Sequence, residues 1–226
     1  MRKYELTEET KTLTDGTVLH RIRALLDISR YGVKAGELGG WIEKENNLSQ
    51  DGDAWVYGDA KVYGDAWVSG NAEVSGDAKV YGNVNVYGNA NVYGNAKVFG
   101  NAKVYGDAKV SGNAEVHGNA NVYGNAKVFG NACVYGNAWV CGDAEVCFDA
   151  DYITFKNIWS SGRWFTYTRS NKKWVVGCFY GTGEELVKKA YADSELSGRC
   201  YEAIVRAVET IEAAKAEAKG ESNGRK

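Results

Sequence analysis

The stretch VYGDAK VYGDAW VSGNAE VSGDAK VYGNVN VYGNAN VYGNAK, residues 56–97, decides the fold of this 226-residue chain. A valine recurs at every sixth position from Val56 to Val146 without a slip. Gly stands two residues after each valine except the last, where Phe148 replaces it, and Asn or Asp follows. Ala comes next in every unit but one, which has Val84. A repeat this regular indicates a solenoid.

Each hexad predicts one short strand and one corner. Strand side chains alternate between two sides, so Ala and Val share one side, while the residue between them and the one after Val share the other. Gly-Asn and Gly-Asp accept the positive φ that a corner needs. Three hexads therefore predict a triangular coil of 18 residues, with coils stacked about 4.8 Å apart.

The pattern Val-x-Gly-[Asn/Asp]-Ala-x resembles the hexapeptide repeat of left-handed parallel β-helix proteins, over residues 54–150. This resemblance implies left-handed winding, an exception to the right-handed crossover rule. A right-handed helix like that of the bactofilin-type polymers is the alternative. We expect a mainly β fold, a left-handed parallel β-helix with an N-terminal β-hairpin cap and a small C-terminal α+β cap.

Changes in amino-acid composition at both ends of the repeat divide the chain into four predicted segments. Residues 1–40 form an N-terminal β cap, whose Asp15-Gly16 pair predicts a hairpin turn. Residues 41–151 form the solenoid, residues 152–214 a C-terminal α+β module, and residues 215–226 a polar, disordered tail. Open sheet edges at both ends of a solenoid need such caps.

The C-terminal module predicts short strands, a hairpin around Ser170–Lys172 and a helix from Gly183. A second helix is indicated by an apolar stripe at 3.6-residue spacing. The stripe consists of Tyr201, Ile204, Val205, Val208 and Ile211.

Both ends also resemble proteins encoded by tailed bacteriophages and prophages. The matching segments are KYELT (3–7), LHRIRAL (19–25), GELGGWIEKE (36–45), NLS (47–49), GCF (177–179) and the Gly181–Glu185 segment. The resemblance implies a phage or prophage source and the capped shape. It carries over no catalytic residue.

The composition limits which cellular compartment and which kinds of partner we expect for this protein. The formal charge is −2, which argues against bulk nucleic-acid binding. The N-terminal residues contain no apolar run, so neither a secretory signal nor a membrane anchor is expected. Five cysteines without C-x-x-C spacing favour a reducing compartment, and we expect the host-cell cytosol.

Residues 18 apart should form columns, and one face combines cations with rings. Lysine charge and ring stacking suit an anionic ligand that contains a ring. The ligand-binding candidates are Lys61, Lys79, Lys97, Tyr63, Tyr81, Phe99 and His117. The alternative is an ordinary solvated face.

A second face is aromatic and nearly uncharged. Rings along a ladder stack on one another, which is a structural explanation. A contiguous aromatic strip also indicates an interface, here of a homotrimer, as in other left-handed β-helices. The interface candidates are Trp67, Tyr87, Tyr105, Tyr123 and Trp139.

These features favour a non-catalytic binding or scaffold protein that captures a host protein or a small anionic ligand, and the phage resemblance implies a role in counter-defence. Arg163, Trp164 and Arg169 are candidates for binding a partner. One alternative is a trimeric acetyl-CoA-dependent acyltransferase with His117 as general base. The other is a structural virion component. Two histidines are too few for the zinc site of the related γ-carbonic anhydrases, so we expect no metal and no cofactor.

Overall fold

The computed structural model describes the backbone of residues 1–223 and the side chains of residues 1–218. It is a parallel β-solenoid of about six turns, with an antiparallel hairpin before it and an antiparallel sheet with two helices after it. The predicted fold class, a mainly β solenoid with two small caps, is confirmed. The hand of the winding rests on the family resemblance.

The N-terminal cap is an antiparallel sheet that continues into the solenoid. It consists of β1 (Tyr4–Thr12), β2 (Val18–Ala24) and β3 (Leu38–Ile42). The turn between the first two strands contains Gly16 at a φ of 88°, as the Asp15-Gly16 pair predicts. β3 pairs antiparallel with β2 and parallel with β5 (Lys61–Tyr63), so hairpin and solenoid share one sheet.

The solenoid strands form three faces, each two or three residues wide. The first face stacks β5, β8 (Lys79–Tyr81), β11 (Lys97–Val98), β14 (Glu115–Val116) and β17 (Cys133–Val134). The second face stacks β6 (Trp67–Val68), β9 (Asn85–Val86), β12 (Lys103–Val104), β15 (Asn121–Val122) and β18 (Trp139–Val140). The third face stacks β4 (Trp55–Val56), β7 (Glu73–Val74), β10 (Asn91–Val92), β13 (Lys109–Val110), β16 (Lys127–Val128) and β19 (Glu145–Val146).

The interior is made of the repeat's small apolar residues. Every repeat valine from Val56 to Val146 is fully buried, and the repeat alanines from Ala54 to Ala144 are at most 1% exposed, whereas Ala150, after the last valine, is exposed. Val84, which replaces an alanine, is also fully buried. The prediction that Val and Ala point to the axis is therefore confirmed.

Residues 18 apart pair directly, for example Lys79 with Lys97. The first coil is the exception, because Ile42 pairs with Val62 and Leu48 bridges to Val68, twenty positions apart. Two extra residues thus lie in one corner of the first coil, after Leu48. The predicted columns are confirmed, and the irregular entry is a longer corner in an otherwise normal coil.

The corners are held by amide ladders. Asn83 donates to Asn101, Asn101 to Asn119 and Asn119 to Asn137, at 3.2–3.3 Å from Nδ2 to Oδ1. A ladder along another edge ends where an aspartate replaces the asparagine; for example, Asn89 donates to the Asp107 carboxylate. A carboxylate has no proton to pass on, so the chain of hydrogen bonds stops there.

The N-terminal end of the solenoid leaves carbonyl groups that no strand N–H reaches, and buried side-chain donors cover them. The Lys3 ammonium donates to the carbonyl oxygens of Gly52 and Ala54, and the Tyr4 hydroxyl donates to those of Glu45 and Leu48. The Asn47 amide donates to the carbonyl oxygens of Gly64 and Ala66. Burial lowers the pKa of Lys3 to about 8 although Asp51 and Asp53 lie near it. Donating side chains at this end satisfy groups that burial would otherwise leave unpaired.

The last coil leaves N–H groups without a following strand, and oxygen acceptors cover them. The acceptors are Asp149 for Cys133, the Tyr152 hydroxyl for Tyr135, Thr166 for Trp139, Ser170 for Glu145, and Asp151 for Cys147. Tyr152, Thr166 and Ser170 belong to the C-terminal module, and Asp149 and Asp151 lie in the short 3-10 helix that leads into it. The C-terminal module therefore closes the open end of the solenoid by hydrogen bonding as well as by packing.

The C-terminal module is a four-stranded antiparallel sheet backed by two helices. Its elements are β20 (Tyr152–Lys156), β21 (Trp164–Thr168), β22 (Lys173–Val176), β23 (Phe179–Gly181), α1 (Gly183–Asp193) and α2 (Glu195–Asn223). A separate core of buried side chains joins sheet and helices. It contains Phe165, Tyr167, Trp174, Val176, Leu186, Val205 and Val208.

Two expectations for α2 differ from the structure. Ile211, the last member of the apolar stripe, is 41% exposed, because the sheet ends before that turn of the helix. The helix also continues to Asn223, through residues 215–223 of the tail predicted to be disordered, since Ala, Glu and Lys favour helix. Residues 224–226 of that tail lie outside the described residues. Within residues 1–223, neither helix is long and apolar enough to cross a bilayer.

We predict that Asn47→Ala destabilises the protein by about 1–3 kcal/mol, because it leaves the Gly64 and Ala66 carbonyls without their donor. Asn46→Ala is the matched control, since the neighbouring side chain is exposed. Chemical denaturation measures both. Equal effects of the two substitutions would contradict the capping role.

A second prediction separates backbone strain from crowding at the corners. Gly106 has a φ of 73°, and a Cβ there would lie 2.9 Å from the Gly124 nitrogen. Gly136 has a φ of 69° with nothing within 4 Å of the same position. Gly136→Ala should cost about 1–2 kcal/mol from the left-handed conformation alone, and Gly106→Ala distinctly more. Thermal unfolding compares them, and equal losses would show that coil-to-coil crowding is unimportant.

Candidate active site on the first face

A continuous column of rings runs along the first face. Tyr63, Tyr81, Phe99, His117 and Tyr135 stack with centroids 4.6–5.7 Å apart and planes within 14° of parallel. The column forms because these residues follow the valine in successive coils and point outward together. Tyr152 of β20 closes it edge-on, with its centroid 6.4 Å from that of Tyr135.

His117 is fixed between two flat neighbours and reaches a thiol. Its ring lies 4.6 Å from the ring of Phe99 and 5.7 Å from that of Tyr135. Its Nε2 lies 3.3 Å from Sγ of Cys133 on the next coil. The imidazole is half-buried, so stacking orients the ring and leaves part of it open to solvent.

The Cys133 thiol stays protonated near neutral pH. Burial raises its pKa, and the carboxylates of Asp149 and Glu115 raise it further. The pair is therefore a neutral thiol beside an imidazole. If the Nε2–H donates to sulfur, Nδ1 keeps a free lone pair and can accept a proton.

Sequence analysis did not predict the Cys133–His117 pair, because it considered His117 only as a member of the ring column and as a possible base on its own. The sequence spacing could have indicated the pair, because the two residues are sixteen positions apart, two fewer than the eighteen of a full coil. That spacing puts Cys133 diagonally above His117 on the same face. The approach of sulfur to Nε2, however, depends on side-chain rotamers, which a repeat pattern does not specify.

The three lysines of the predicted basic strip do line up on the first face, but an ion pair reduces the net positive charge of the strip. Lys61, Lys79 and Lys97 lie in one column. The Lys97 ammonium forms an ion pair with Glu115 at 2.8 Å, which raises the lysine pKa. Burial and the neighbouring Lys11 and Lys79 lower the pKa of Lys61, despite Asp59 nearby. Lys61 and Lys79 thus supply the positive charge on this face.

The second face carries a ring column of its own. Tyr87, Tyr105 and Tyr123 stack at 4.9 Å with parallel planes, and Trp139 meets Tyr123 edge-on at 6.2 Å. These four side chains are half-buried, whereas Trp67 at the other end is 45% exposed. Stacking accounts for much of the burial of the tyrosines, and their outer edges still face solvent. The interface role of these five residues stays a prediction.

The three partner-binding candidates occupy different surroundings. Arg169 is engaged within the chain, because its Nε lies 2.6 Å from Glu212 and its guanidinium donates to the Ala150 carbonyl. Trp164 is half-buried on β21. Arg163 lines a cleft of about 270 Å³ between the sheet and α1. Their role in binding a partner stays a prediction.

The two histidines lie in different parts of the fold. His20 lies in the N-terminal hairpin, where its Nδ1 is 3.3 Å from the Thr7 carbonyl oxygen, and His117 lies in the solenoid. Within residues 1–223, no group of three or more His, Cys, Asp or Glu side chains is arranged to hold a metal ion.

Comparison with known proteins gives one functional indication. No protein family model matches the chain. A curated relative from Escherichia coli (strain K12), named "Uncharacterized acetyltransferase YdcK", is 42% identical over 62 residues. The match covers 25% of this chain and 19% of that relative's length. The chain thus spans about a fifth of the curated relative that it matches.

This comparison corrects one sequence expectation. The chain was expected to be a non-catalytic protein, and that prediction is wrong by this finding, because the relative's name is that of an acetyltransferase. The uniform hexad run favoured a pure binding surface because no loop interrupts it. The His117–Cys133 contact shows that an uninterrupted run can still bring an imidazole and a thiol together.

We predict that the ring column contributes to stability through stacking. His117→Ala should lower the free energy of unfolding by about 0.5–1.5 kcal/mol for each ring pair that it interrupts. His117→Phe should retain the wild-type stability within about 0.5 kcal/mol, because Phe99 shows that phenylalanine fits this column. Urea denaturation of both variants tests this, and equal stability of the two would contradict it.

Proposed function

We propose that the chain is an acyltransferase that moves an acetyl group from acetyl-CoA to a nucleophilic acceptor on the first face, with His117 as general base. The observation that carries the proposal is the 42% identity to a relative named as an acetyltransferase. The hexapeptide-type solenoid supports it, because the resembling proteins include many acyltransferases. The half-buried imidazole at the centre of this face supplies the required chemistry.

The general base acts on the acceptor. Nδ1 of His117 takes the proton from an acceptor amine or hydroxyl as that group attacks the thioester carbonyl. The bond between the carbonyl carbon and the CoA sulfur then breaks, and the departing thiolate receives the proton. Such a positioned base contributes about 10²–10⁴-fold to the rate.

The cations and rings of the first face suit the nucleotide end of acetyl-CoA, the end away from the thioester. That donor carries phosphates and an adenine ring, which makes it an anionic ligand containing a ring. Lys61 and Lys79 supply positive charge, and Tyr63 and Tyr81 supply rings that lie parallel at 5.0 Å. With coils about 4.8 Å apart, Lys79 lies two coils, or roughly 10 Å, from the level of His117.

We predict that His117→Phe loses about 10²–10⁴-fold in acetyl-CoA turnover while keeping its fold, since the ring column is retained and the base is removed. The measurement is release of the CoA thiol in the presence of a panel of amines and alcohols. His20→Phe is the matched control and should turn over at the wild-type rate. Wild-type protein that releases no CoA with any acceptor would overturn the proposed function. Full turnover by His117→Phe would overturn only the base assignment.

We also propose a homotrimer that associates through the second face. Lys103 is the charged side chain among the outward positions 67–141 of this face, and the rest are aromatic, amide, hydroxyl or thiol groups. Tyrosine and tryptophan bury much area for few rotatable bonds, which suits an interface core. Phage or prophage origin remains an expectation from the resemblance.

Tyr105→Glu should dissociate the trimer, because it places a charge at the centre of the second face. Tyr93→Glu is the control, since Tyr93 is 42% exposed on the third face. Native mass spectrometry reports the subunit number of each variant. A wild-type protein that is monomeric, or a Tyr105→Glu variant that remains trimeric, would contradict this interface.

A further inference from the structure

Cys133 occupies an unusual place on the first face. It begins β17, the last strand of that sheet, so no further strand lies over it on the C-terminal side. Its side chain is half-buried, and its Sγ lies 3.3 Å from Nε2 of His117. A thiol within hydrogen-bond reach of an imidazole is the arrangement of a nucleophile with its general base.

The backbone of Cys133 is held on both sides by the cap. Its N–H donates to Oδ1 of Asp149 at 2.7 Å, and its carbonyl accepts from the Tyr152 hydroxyl at 3.1 Å. The neighbouring N–H of Tyr135 donates to the same hydroxyl at 3.3 Å. These bonds fix the Cα–Cβ direction of Cys133, and the ring column fixes His117. Both reacting groups are therefore positioned before a substrate arrives.

The other cysteines lack this combination. Cys141 is buried at 3% exposure and lies against the Tyr123 hydroxyl. Cys178 is exposed at the turn after β22, and Cys147 and Cys200 are half-buried. In the described structure, Cys133 is the thiol that contacts a histidine ring.

We propose that Cys133 is the acyl-accepting nucleophile of this chain, which carries the acetyl group as a thioester between CoA and the final acceptor. This inference rests on the proposed acyltransferase function and changes its route. The acetyl group moves in two displacements through the protein, instead of passing directly from CoA to the acceptor.

In the first displacement, Sγ of Cys133 attacks the carbonyl carbon of acetyl-CoA while Nε2 of His117 takes the thiol proton. This route uses the imidazole tautomer that carries its proton on Nδ1, so that Nε2 accepts from the thiol. The new S–C bond forms, the bond from that carbon to the CoA sulfur breaks, and the CoA thiolate takes the proton from His117. The products are free CoA and S-acetyl-Cys133. One thioester replaces another, so no oxidant or energy source is needed.

In the second displacement, the acceptor amine or hydroxyl attacks the acetyl carbon on Cys133. His117 removes the acceptor's proton, and the bond between carbon and Sγ breaks. The cysteine thiolate takes the proton back and the thiol is restored. His117 therefore acts as the base in both displacements.

The test uses the whole reduced protein and acetyl-CoA without an acceptor. Isotope-labelled CoA is added, its exchange into acetyl-CoA is followed, and the acid-quenched protein is mapped for acetylated peptides. We expect exchange, and one acetyl group on Cys133. We expect Cys133→Ser to reduce exchange to background, and His117→Phe to slow it by about 10²–10⁴-fold. Cys178→Ser, which alters an exposed thiol outside the first face, should exchange at the wild-type rate.

The outcomes separate this inference from the proposed function. Acceptor-dependent CoA release that survives in Cys133→Ser, with no exchange in the wild type, overturns the thioester route and leaves the acyltransferase intact. Acetylation of Cys133 and Cys178 to the same extent, unaffected by His117→Phe, also overturns it, since that is reaction of any accessible thiol. Absence of both exchange and acceptor-dependent release overturns the inference and the function together.

Discussion

The structure depends on one constraint, that each coil must hydrogen-bond to the next at a spacing of eighteen residues. The ladder from Trp55 through Glu145 keeps this register without interruption. It requires corners that turn within two residues, which glycines at φ values of 56–79° provide between Gly58 and Gly142. It also requires an interior no wider than valine and alanine.

A parallel ladder of this kind leaves unpaired backbone carbonyls at its N-terminal end and unpaired backbone N–H groups at its C-terminal end. Buried donors, among them Lys3 and Asn47, cover the carbonyls, whereas oxygen acceptors cover the N–H groups. Each end is therefore closed by side chains that supply the missing hydrogen-bond partner. The C-terminal cap does more than close the edge, because Asp149 and Tyr152 are the groups that hold the backbone of Cys133. Capping and the candidate site share the same hydrogen bonds.

The site arises from the stacking of ordinary outward positions. Each coil presents two outward side chains per face, and columns of them bring residues from distant hexads within contact. His117 stands where other coils have tyrosine or phenylalanine, and it keeps the ring stacking of its neighbours. Cys133 stands where other coils have lysine, glutamate or tryptophan. Two substitutions in the repeat, without any inserted loop, are thus enough to place an imidazole beside a thiol.

The sequence by itself determined the solenoid, because a period of six with Ala, Val and Gly-Asn at fixed places gives one short strand and one corner per unit. It determined which residues share a column, so the lysine strip and both ring columns could be predicted by counting. It also indicated both caps, through the Asp15-Gly16 turn and the change of composition at Tyr152. Tertiary structure alone decided the pairing of Lys97 with Glu115, the contact of Cys133 with His117, and the capping by Asp149 and Tyr152. Those contacts depend on side-chain rotamers and on where the non-repetitive segments fold back, which a repeat cannot encode.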